Sequence, residues 1–271
     1  MRPAGLTLGI LILASLARAQ APAVNAGGVV NNGSYSSQGV APGSIVAIFG
    51  TNLASKVAIG DTIPLSTTLD TVTSVSFNGV QAGLYFVGPT QIDAQLPWEA
   101  SGTVNIVVTT NTGSSAPQPV TVLDTLPGIF TVSQTGVGQA IATDNADGAI
   151  VAPAGSIAGL TTHPFSLATQ GQNGHAVVIW CTGLGAVTPP VADGAAAGSG
   201  SNLQRTVATP VVTVGGVQAQ VLFSGLAPGF VSENQIDILL GSGTPTGSAV
   251  PVQITMNGVT TSDQVTIAVS Q

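Results

Sequence analysis

The stretch FNGVQAGLYFVGPTQIDAQLP, from Phe77 to Pro97, is followed later in the chain by VGGVQAQVLFSGLAPGFVSENQIDILL, from Val214 to Leu240. Both stretches contain GVQA and then QID, and the second has seven extra residues between these words, around LAPGFVSE. Loops tolerate insertions, and this one is rich in turn-forming residues. The repeated words therefore predict the same local fold twice.

The repeat extends to both sides of these words. Upstream, GSIVAIFGTNL at 43–53 is similar to GHAVVIWCTGL at 174–184. Downstream, TVNIVVTTNTGSSAPQPVTVL at 103–123 is similar to AVPVQITMNGVTTSDQVTIAV at 249–269. The segments keep their order in both halves, which indicates duplication of a domain.

Each repeated segment has the pattern of a β-strand. The segments are short, rich in Val, Ile and Thr, and bounded by Gly, Pro and Asn. In QIDAQLP, Ile92, Ala94 and Leu96 share one face, and the polar residues share the other. We therefore predict an all-β protein of two immunoglobulin-like antiparallel β-sandwiches, related by internal duplication and joined by a hairpin-containing bridge.

The sequence divides into five predicted parts. A hairpin is expected within the bridge, with strands at 137–142 and 149–152 around a turn at Asp147-Gly148. The parts are a signal peptide at 1–19, an N-terminal segment at 20–40, a first sandwich at 41–125, the bridge at 126–173 and a second sandwich at 174–271.

The first residues predict export. Arg2 precedes an apolar run from Leu6 to Leu16, and Ala17-Arg18-Ala19 has the small-x-small form of a signal-peptidase site. No later stretch is apolar for about 18 residues, so we expect no membrane insertion after cleavage. The predicted location is extracellular or in the cell envelope, either in the periplasm or on the outer surface.

Charge is scarce in this chain. It has four Lys and Arg residues against eleven Asp and Glu, a formal charge of −7, which becomes −9 once Arg2 and Arg18 leave with the signal peptide. Nucleic acid is not expected as a partner, because so few positive charges cannot neutralise its phosphates. A surface with few lysines leaves sheet edges open to self-association.

Six words in the chain are together typical of one family. They are VAPGSIVAIFGTNLA, VSFNGVQAGLYFVGPTQIDAQLPWE, LPGIFT, CTGLGAVTPPVADG, VTVGGVQAQVLFSGLAPGF and QIDILL. Between about residues 29 and 269 the chain resembles the uncharacterised C-terminal domain family of exported bacterial proteins, whose two halves are similar to the IPT/TIG group of immunoglobulin-like folds. The resemblance implies a fold and an extracellular or envelope setting, without an activity, a cofactor or a catalytic residue. Since only a predicted signal peptide and a short segment precede the domain here, we expect the chain to act alone or with a separate partner.

A catalytic pair is not predicted. Cys181 and His175 are expected on one strand six residues apart, which separates their Cα atoms by roughly 20 Å, too far for a dyad. Cys181, the only cysteine, takes the place of Gly50 in the first copy and is interpreted as a core residue. Whether His163, in a loop, approaches Cys181 is left open.

A metal site is not predicted either. Two histidines and one cysteine do not suggest a zinc set. Asp144, Asn145 and Asp147 miss the spacing of a calcium loop, and position 154, where a bidentate Glu is needed, is Ala. Turns are the simpler interpretation, with calcium left open if loop acids such as Asp193 or Glu233 converge there.

The remaining candidates have structural explanations. The repeated Asp93 and Asp237 are interpreted as copied with the fold and hydrogen-bonded to a neighbouring loop backbone. Trp180 is expected in the core, and Trp98 is expected to pack in a core or between domains rather than to bind a sugar. The loop from Pro189 to Arg205 is flexible by composition and is either a binding loop or an insertion.

These observations favour an exported, non-enzymatic protein that acts as a cell-surface, adhesion or assembly module. No catalytic, cofactor-binding or metal-binding residue is predicted, and the ligand-binding residues are unknown. The expected partner is a protein or polysaccharide at the cell surface. The alternative is a carbohydrate-binding module that uses loop aromatics and amides, and a more remote one is a hydrolase built around His163 and Asp147.

Overall fold

The computed structural model describes residues 20–262 and 264–271, so the predicted signal peptide at 1–19 lies outside the described residues. The described chain forms two β-sandwiches that share no sheet. The first uses β1 to β10 and the second uses β11 to β26.

The first sandwich has two facing sheets. Their strand orders are β1-β2-β7-β6-β3 and β10-β8-β4-β5, with β9 paired to β8. All of their named strand pairs are antiparallel. The strands are β1 (Ala23–Asn31), β2 (Ile45–Thr51), β3 (Ala58–Ile59), β4 (Val72–Phe77), β5 (Val80–Gln81), β6 (Leu84–Val87), β7 (Gln91–Gln95), β8 (Gly102–Thr110), β9 (Gly113–Ser114) and β10 (Gln118–Val122).

The second sandwich repeats this plan with additions. Its sheets run β15-β14-β13-β17-β23-β22-β19-β18, with β11 paired to β17, and β12-β26-β24-β20-β21, with β16 on β26 and β25 on β24. The strands are β11 (Gly128–Ile129), β12 (Gly138–Gln139), β13 (Ala142–Asp144), β14 (Ile150–Val151), β15 (Thr162–His163), β16 (Phe165–Ser166), β17 (Val177–Thr182), β18 (Val187–Thr188), β19 (Arg205–Thr206), β20 (Val211–Val214), β21 (Val217–Gln218), β22 (Gln220–Leu226), β23 (Asn234–Leu239), β24 (Gly247–Met256), β25 (Val259–Thr260) and β26 (Val265–Ser270).

The strand orders confirm the predicted duplication. The neighbours β2-β7-β6 of the first sandwich correspond to β17-β23-β22 of the second, and β10-β8-β4-β5 corresponds to β26-β24-β20-β21. Even a local irregularity is repeated. The register shifts between Leu84 and Phe86 in one copy and between Val221 and Phe223 in the other. Such bulges change where a side chain points.

Each sandwich has its own apolar core. The first buries the alternating residues of the paired strands, such as Val46 and Ile48 of β2 opposite Ile92 and Ala94 of β7. The second buries the equivalent Ile179, Ile236 and Ile238, together with apolar residues of the opposite sheet. Strand alternation sends every other side chain inward, so the residues between them face outward.

The segments at 20–40 and 126–173 were predicted to lie outside the two sandwiches, but both of them supply strands to the sheets. The domain boundaries stay a prediction, but β1 is a full strand of the first sandwich. The predicted bridge supplies β11 to β16 to the sheets of the second sandwich. It includes a hairpin around the expected turn, since Thr143 pairs with Ile150, but its first strand is Ala142–Asp144 and not 137–142. It also contains the three parallel pairings β12/β26, β14/β15 and β16/β26, which depart from a purely antiparallel fold.

The predicted bridge joins the second sandwich because its apolar side chains are buried there. Five apolar residues of the predicted bridge lie in the second core and would be exposed in a free linker, namely Ile129, Ala140, Ala142, Val151 and Phe165. The one helix among the described residues is a 3₁₀ turn at Gly200–Asn202. Nothing in the described chain is a helix with the length and apolarity needed to cross a lipid bilayer.

Phe165 tests whether the predicted bridge is part of the second core. Phe165→Ala should lower the free energy of unfolding by about 3–5 kcal/mol, because Phe165 is fully buried and the substitution leaves a cavity. Denaturant-induced unfolding followed by circular dichroism measures this loss. The control Leu160→Ala changes a residue of the same segment that is 55% exposed. Equal, small effects of both substitutions would show that the segment lies outside the core.

Candidate functional site

The repeated QID motif places an amide and a carboxylate side by side on the outer face of a sheet. Gln91 Nε2 donates to Asp93 Oδ1 at 2.8 Å in β7, and Gln235 Nε2 donates to Asp237 Oδ1 at 3.1 Å in β23. The partner of each aspartate is thus the glutamine two positions earlier, where a loop backbone was expected. The intervening isoleucine faces the core, so one short word supplies both a core residue and an outer polar pair.

These carboxyl groups are partly withdrawn from water. Burial raises the pKa of both Asp93 and Asp237, and the glutamine hydrogen bonds act in the opposite direction. Arg205 also favours the ionised form of Asp237. In the first copy the charge of Asp93 adds to the effect of burial in raising the pKa of Tyr35.

Trp180 lies on this outer face, whereas the sequence placed it in the core. Its neighbours Ile179 and Cys181 are fully buried, and alternation along β17 therefore turns Trp180 outward. Its indole Nε1 donates to Thr143 Oγ1 at 3.2 Å. The ring meets Phe230 edge-on, with the two centroids 6.3 Å apart.

Arg205 and Phe223 continue the face beside Asp237. Phe223 pairs with Asp237 across β22 and β23, so both side chains point to the same side. The Arg205 guanidinium carbon lies 4.8 Å from the centroid of the Phe223 ring, which is a cation–π contact. We call Trp180, Arg205, Phe223, Phe230, Gln235 and Asp237 the Trp180 face.

Phe230 belongs to the seven-residue insertion of the second copy. Its side chain is 52% exposed, and among the large apolar residues exposed in the described chain it is the one with an aromatic ring. The loop after β18 holds its backbone. Ala197 N donates to the Phe230 carbonyl at 2.8 Å, and Gly229 N donates to the Ala197 carbonyl at 3.0 Å. The loop from Pro189 to Arg205, expected to be flexible, thus positions an exposed aromatic ring.

The same loops connect the two sandwiches. Tyr85 Oη of the first sandwich donates to the Val231 carbonyl of the insertion, and Gly194 N donates to Gln95 Oε1. Polar contacts therefore fix how the two sandwiches meet. Other hydrogen bonds across the junction are Asn31 Nδ2 to the Leu126 carbonyl (2.7 Å), Ile45 N to Thr182 Oγ1 (2.9 Å), Leu65 N to the Gly194 carbonyl (2.9 Å) and Trp98 N to Asp193 Oδ1 (3.0 Å).

Trp98 lies at this junction. Its ring covers Gly43, where an added Cβ would come within 2.2 Å of the ring and where φ is +67°. The close contact with the ring and the positive φ therefore both exclude a residue other than glycine at position 43. The backbone bond to Asp193, whose pKa is raised by burial, anchors Trp98 to the second sandwich. This placement corresponds to packing between domains.

The two copies use one equivalent position differently. Tyr85 and Leu222 occupy the same place in the repeat, within the bulge of β6 and of β22. Tyr85 makes the bond across the junction, whereas Leu222 is 45% exposed and lines a cleft of about 200 Å³ with Arg205 and Phe223. The outer face of the second copy thus has more exposed apolar surface available to a partner.

Cys181 is fully buried in the second core, where burial raises the pKa of its thiol. A protonated, buried thiol is a poor nucleophile. His175 precedes β17 instead of lying on it. His163 is directed to Asp147 and to the Pro164 carbonyl rather than to Cys181.

Both histidines lie beside the hairpin that contains Asp144 and Asp147. His175 Nδ1 is 2.7 Å from Asp144 Oδ2, and His163 Nε2 is 2.9 Å from Asp147 Oδ2. The sequence did not bring these four residues together, because strand pairing of distant segments assembles them. Asp193 and Glu233 lie instead at the junction, beside Trp98 and Tyr85.

A wider surface depression lies elsewhere. It measures about 570 Å³ and is lined by Gln170, Gln218 and Gln220 together with small and aliphatic residues. Its lining has neither an aromatic ring nor an ionisable side chain. The Trp180 face is therefore the better candidate for recognition. Two signals in the sequence point to it: the alternation of VVIWCT and the insertion around Phe230.

Glu233 provides a test of the junction. Burial raises the pKa of its carboxyl to about 7, and Glu233 in turn raises the pKa of Tyr85 through its charge. The folded protein therefore holds a proton that the unfolded chain releases near pH 4.5. Stability from this group is present at low pH and is lost as the pH rises towards 7.

Glu233→Gln should remove this loss. At pH 8 the variant should be more stable than the parent chain, and the two should converge near pH 4. Thermal unfolding across this pH range measures the difference, with Glu99→Gln at an exposed position as the matched control. A parent-minus-variant difference that does not change with pH would contradict a buried, proton-binding Glu233.

Comparison with known proteins identifies one domain. Residues 32–122 match the sequence model of the IPT/TIG domain family, which spans most of the first sandwich. No curated protein shows significant sequence similarity to the chain.

Several solved structures show partial likeness. The γ-CGTase of alkalophilic Bacillus clarkii is 12% identical with a TM-score of 0.28, over 87% of this chain and 23% of that enzyme. The surface glycan-binding protein PbSGBP-B of Prevotella bryantii is 11% identical with a TM-score of 0.28, over 89% and 41%. Domains 5-6 of the S-layer protein SbsC are 15% identical with a TM-score of 0.27, over 92% and 98%. This chain thus spans less than half the length of the first two of these proteins. At the level of sequence, the first sandwich of this chain is similar to the IPT/TIG domain family over residues 32–122.

Proposed function

We propose that this chain is an exported, non-catalytic binding module that acts in adhesion or assembly at the bacterial cell surface. The observation that carries the proposal is the Trp180 face, with Phe230 52% exposed beside an outer row of polar groups. Large exposed apolar groups surrounded by polar ones mark interaction surfaces. Residues 1–19 support export through their signal-peptide pattern.

The composition of this face matches that of protein interfaces. Trp, Phe and Arg are enriched where proteins bind, and a few such residues supply most of the binding energy. The face is also braced, because Ala197 of the loop after β18 donates its N–H to the Phe230 carbonyl and accepts from Gly229 N. A braced anchor loses little conformational freedom on binding, which favours affinity.

The positions of Cys181 and of the two histidines support a non-catalytic role. Cys181 is inaccessible in the core. The hydrogen bonds of both imidazoles in the described chain go to aspartates and to a backbone carbonyl, so a serine or cysteine nucleophile is not positioned by them. A hydrolase built around His163 and Asp147 therefore lacks support from this geometry.

A polysaccharide is the second candidate for the partner. Trp180 and Phe230 lie with Gln235 and Asp237 on one side of the sheet, so rings and hydrogen-bonding groups face the same ligand space. Aromatic rings combine a large apolar surface with few rotatable bonds, and amides and carboxylates bond to hydroxyl groups. These properties suit a sugar chain as well as a protein.

Phe230→Ala tests the face directly. The chain from Gln20 to Gln271 is co-sedimented with bacterial cell envelopes and with cellulose, chitin and xylan. We expect the substitution to weaken saturable binding about tenfold or more, the loss typical of a truncated aromatic anchor. The control Val211→Ala changes a residue that is 45% exposed on β20, in the opposite sheet, and should leave binding unchanged.

The outcomes separate the candidates. Binding to envelopes alone, weakened by Phe230→Ala, supports the surface module. Binding to one polysaccharide, weakened by the same substitution, assigns the face to carbohydrate. Binding that Phe230→Ala leaves intact, or sedimentation with none of the materials, overturns the assignment of the Trp180 face.

A further inference from the structure

Both histidines of this chain converge on one hairpin. His163 of β15 and His175, just before β17, approach the two aspartates of the turn between β13 and β14. One potential ligand atom from each of Asp144, Asp147 and His163 lies within 4.8 Å of the others. The cluster is at the β15 edge of the sheet.

The two ring nitrogens of His163 both face oxygen atoms. Nδ1 is 3.1 Å from the Pro164 carbonyl, and Nε2 is 2.9 Å from Asp147 Oδ2. A neutral imidazole has a single N–H. If Nδ1 donates to the carbonyl, the lone pair of Nε2 points at a carboxylate oxygen, and a proton or a metal ion must lie between them.

The carboxylates of Asp144 and Asp147 are oriented alike, with one oxygen bonded to the backbone and the other facing an imidazole. Asp144 Oδ1 accepts a hydrogen bond from Ala146 N at 3.0 Å, and Asp147 Oδ1 accepts one from Ala149 N at 2.9 Å. The backbone thus fixes one oxygen of each carboxylate, and both Oδ2 atoms are turned towards imidazoles. The Asp144 side chain is only 2% exposed, so its position is set by the surrounding structure.

Lysine and arginine side chains do not neutralise the carboxylates of Asp144 and Asp147. The two such residues in the described chain are Lys56, which lies 4.0 Å from Asp70, and Arg205, which stacks on Phe223. Two carboxylates held close together require a cation or protonated imidazoles to be stable.

We propose that Asp144, Asp147 and His163 bind one divalent transition-metal ion of the zinc type, with His175 as a positioning residue that holds Asp144. The metal would bond to His163 Nε2 and to the Oδ2 atoms of the two aspartates. A metal-binding histidine commonly donates its other N–H to a backbone carbonyl, as His163 Nδ1 can to Pro164. The separation of 2.9 Å between Nε2 and Asp147 Oδ2 needs only a small opening to admit an ion bonded to each at about 2 Å.

The donor set favours zinc over calcium. Calcium takes six to eight oxygen ligands, whereas zinc accepts imidazole and carboxylate in a four-coordinate site. The fourth position would be open to water, since the side chains of Asp147 and His163 are 49% and 34% exposed. This proposal differs from the expectation from sequence, which included no metal site.

Metal binding would connect three segments that are distant in sequence. The turn at 144–147 would be joined to β15 through His163 and to the start of β17 through Asp144 and His175. A ligand that binds only the folded state stabilises it. The metal would therefore stabilise this end of the second sandwich, independently of what the Trp180 face binds.

The experiment is a titration of the metal-free chain, Gln20 to Gln271, with Zn²⁺ by calorimetry, together with NMR of the imidazole groups. Because the chain has only two histidines, each imidazole gives its own signal. We expect one ion per chain, shifts of both imidazole signals and a higher melting temperature. His163→Gln and Asp147→Asn should each weaken binding about tenfold or more.

Two controls accompany these variants. Asp61→Asn removes an exposed carboxylate elsewhere and should leave Zn²⁺ binding unchanged. Each variant should keep the circular dichroism spectrum of the parent without metal, and Asp147→Asn retains an oxygen to accept the Ala149 N–H. The proposal is overturned if Zn²⁺ does not saturate, if neither substitution weakens binding, or if Ca²⁺ binds in its place. Imidazole signals that respond to pH but not to Zn²⁺ would show that protons alone hold the cluster together.

Discussion

Scarcity of positive charge determines how this protein accommodates its carboxylates. Lys56 and Arg205 are the only lysine and arginine residues of the described chain, so several aspartates depend on other hydrogen-bond donors. Glutamine amides serve Asp93 and Asp237, backbone N–H groups serve Asp193, and imidazoles and backbone N–H groups serve Asp144 and Asp147. These partners are short and fixed in place, so each carboxylate is tied to a particular strand or turn. The QID pairs, the junction and the histidine cluster all follow from this constraint.

Duplication supplied two similar sandwiches, and the differences between the copies explain how they are used. The first copy has Tyr85 where the second has Leu222, and only the second has the insertion with Phe230 and Val231. Tyr85 bonds to that insertion. The extra loop of one copy therefore serves two purposes: it fastens the copies together and presents an aromatic ring beside Trp180.

Sequence pattern was sufficient for the parts of the fold that depend on local alternation and repetition. The strands, the duplicated sandwiches and the burial of Cys181 follow from residues near one another in the chain and from the repeat. Trp180 was placed wrongly because its likeness to Phe49 outweighed the alternation of its own strand. The parallel pairing of β12 and β16 with β26, and the meeting of His175 with Asp144, depend on contacts between distant segments. Local periodicity does not contain that information.

The stacking of Arg205 on Phe223 has a consequence for digestion by proteases. Proteases that cut after basic residues have two targets in the described chain, Lys56 and Arg205. Arg205 is engaged by a ring and lies in a paired strand, so it does not present the extended, unpaired backbone that a protease binds. Lys56, with a side chain 74% exposed, is left as the accessible target. A trypsin-like enzyme would nick the first sandwich and leave the second whole.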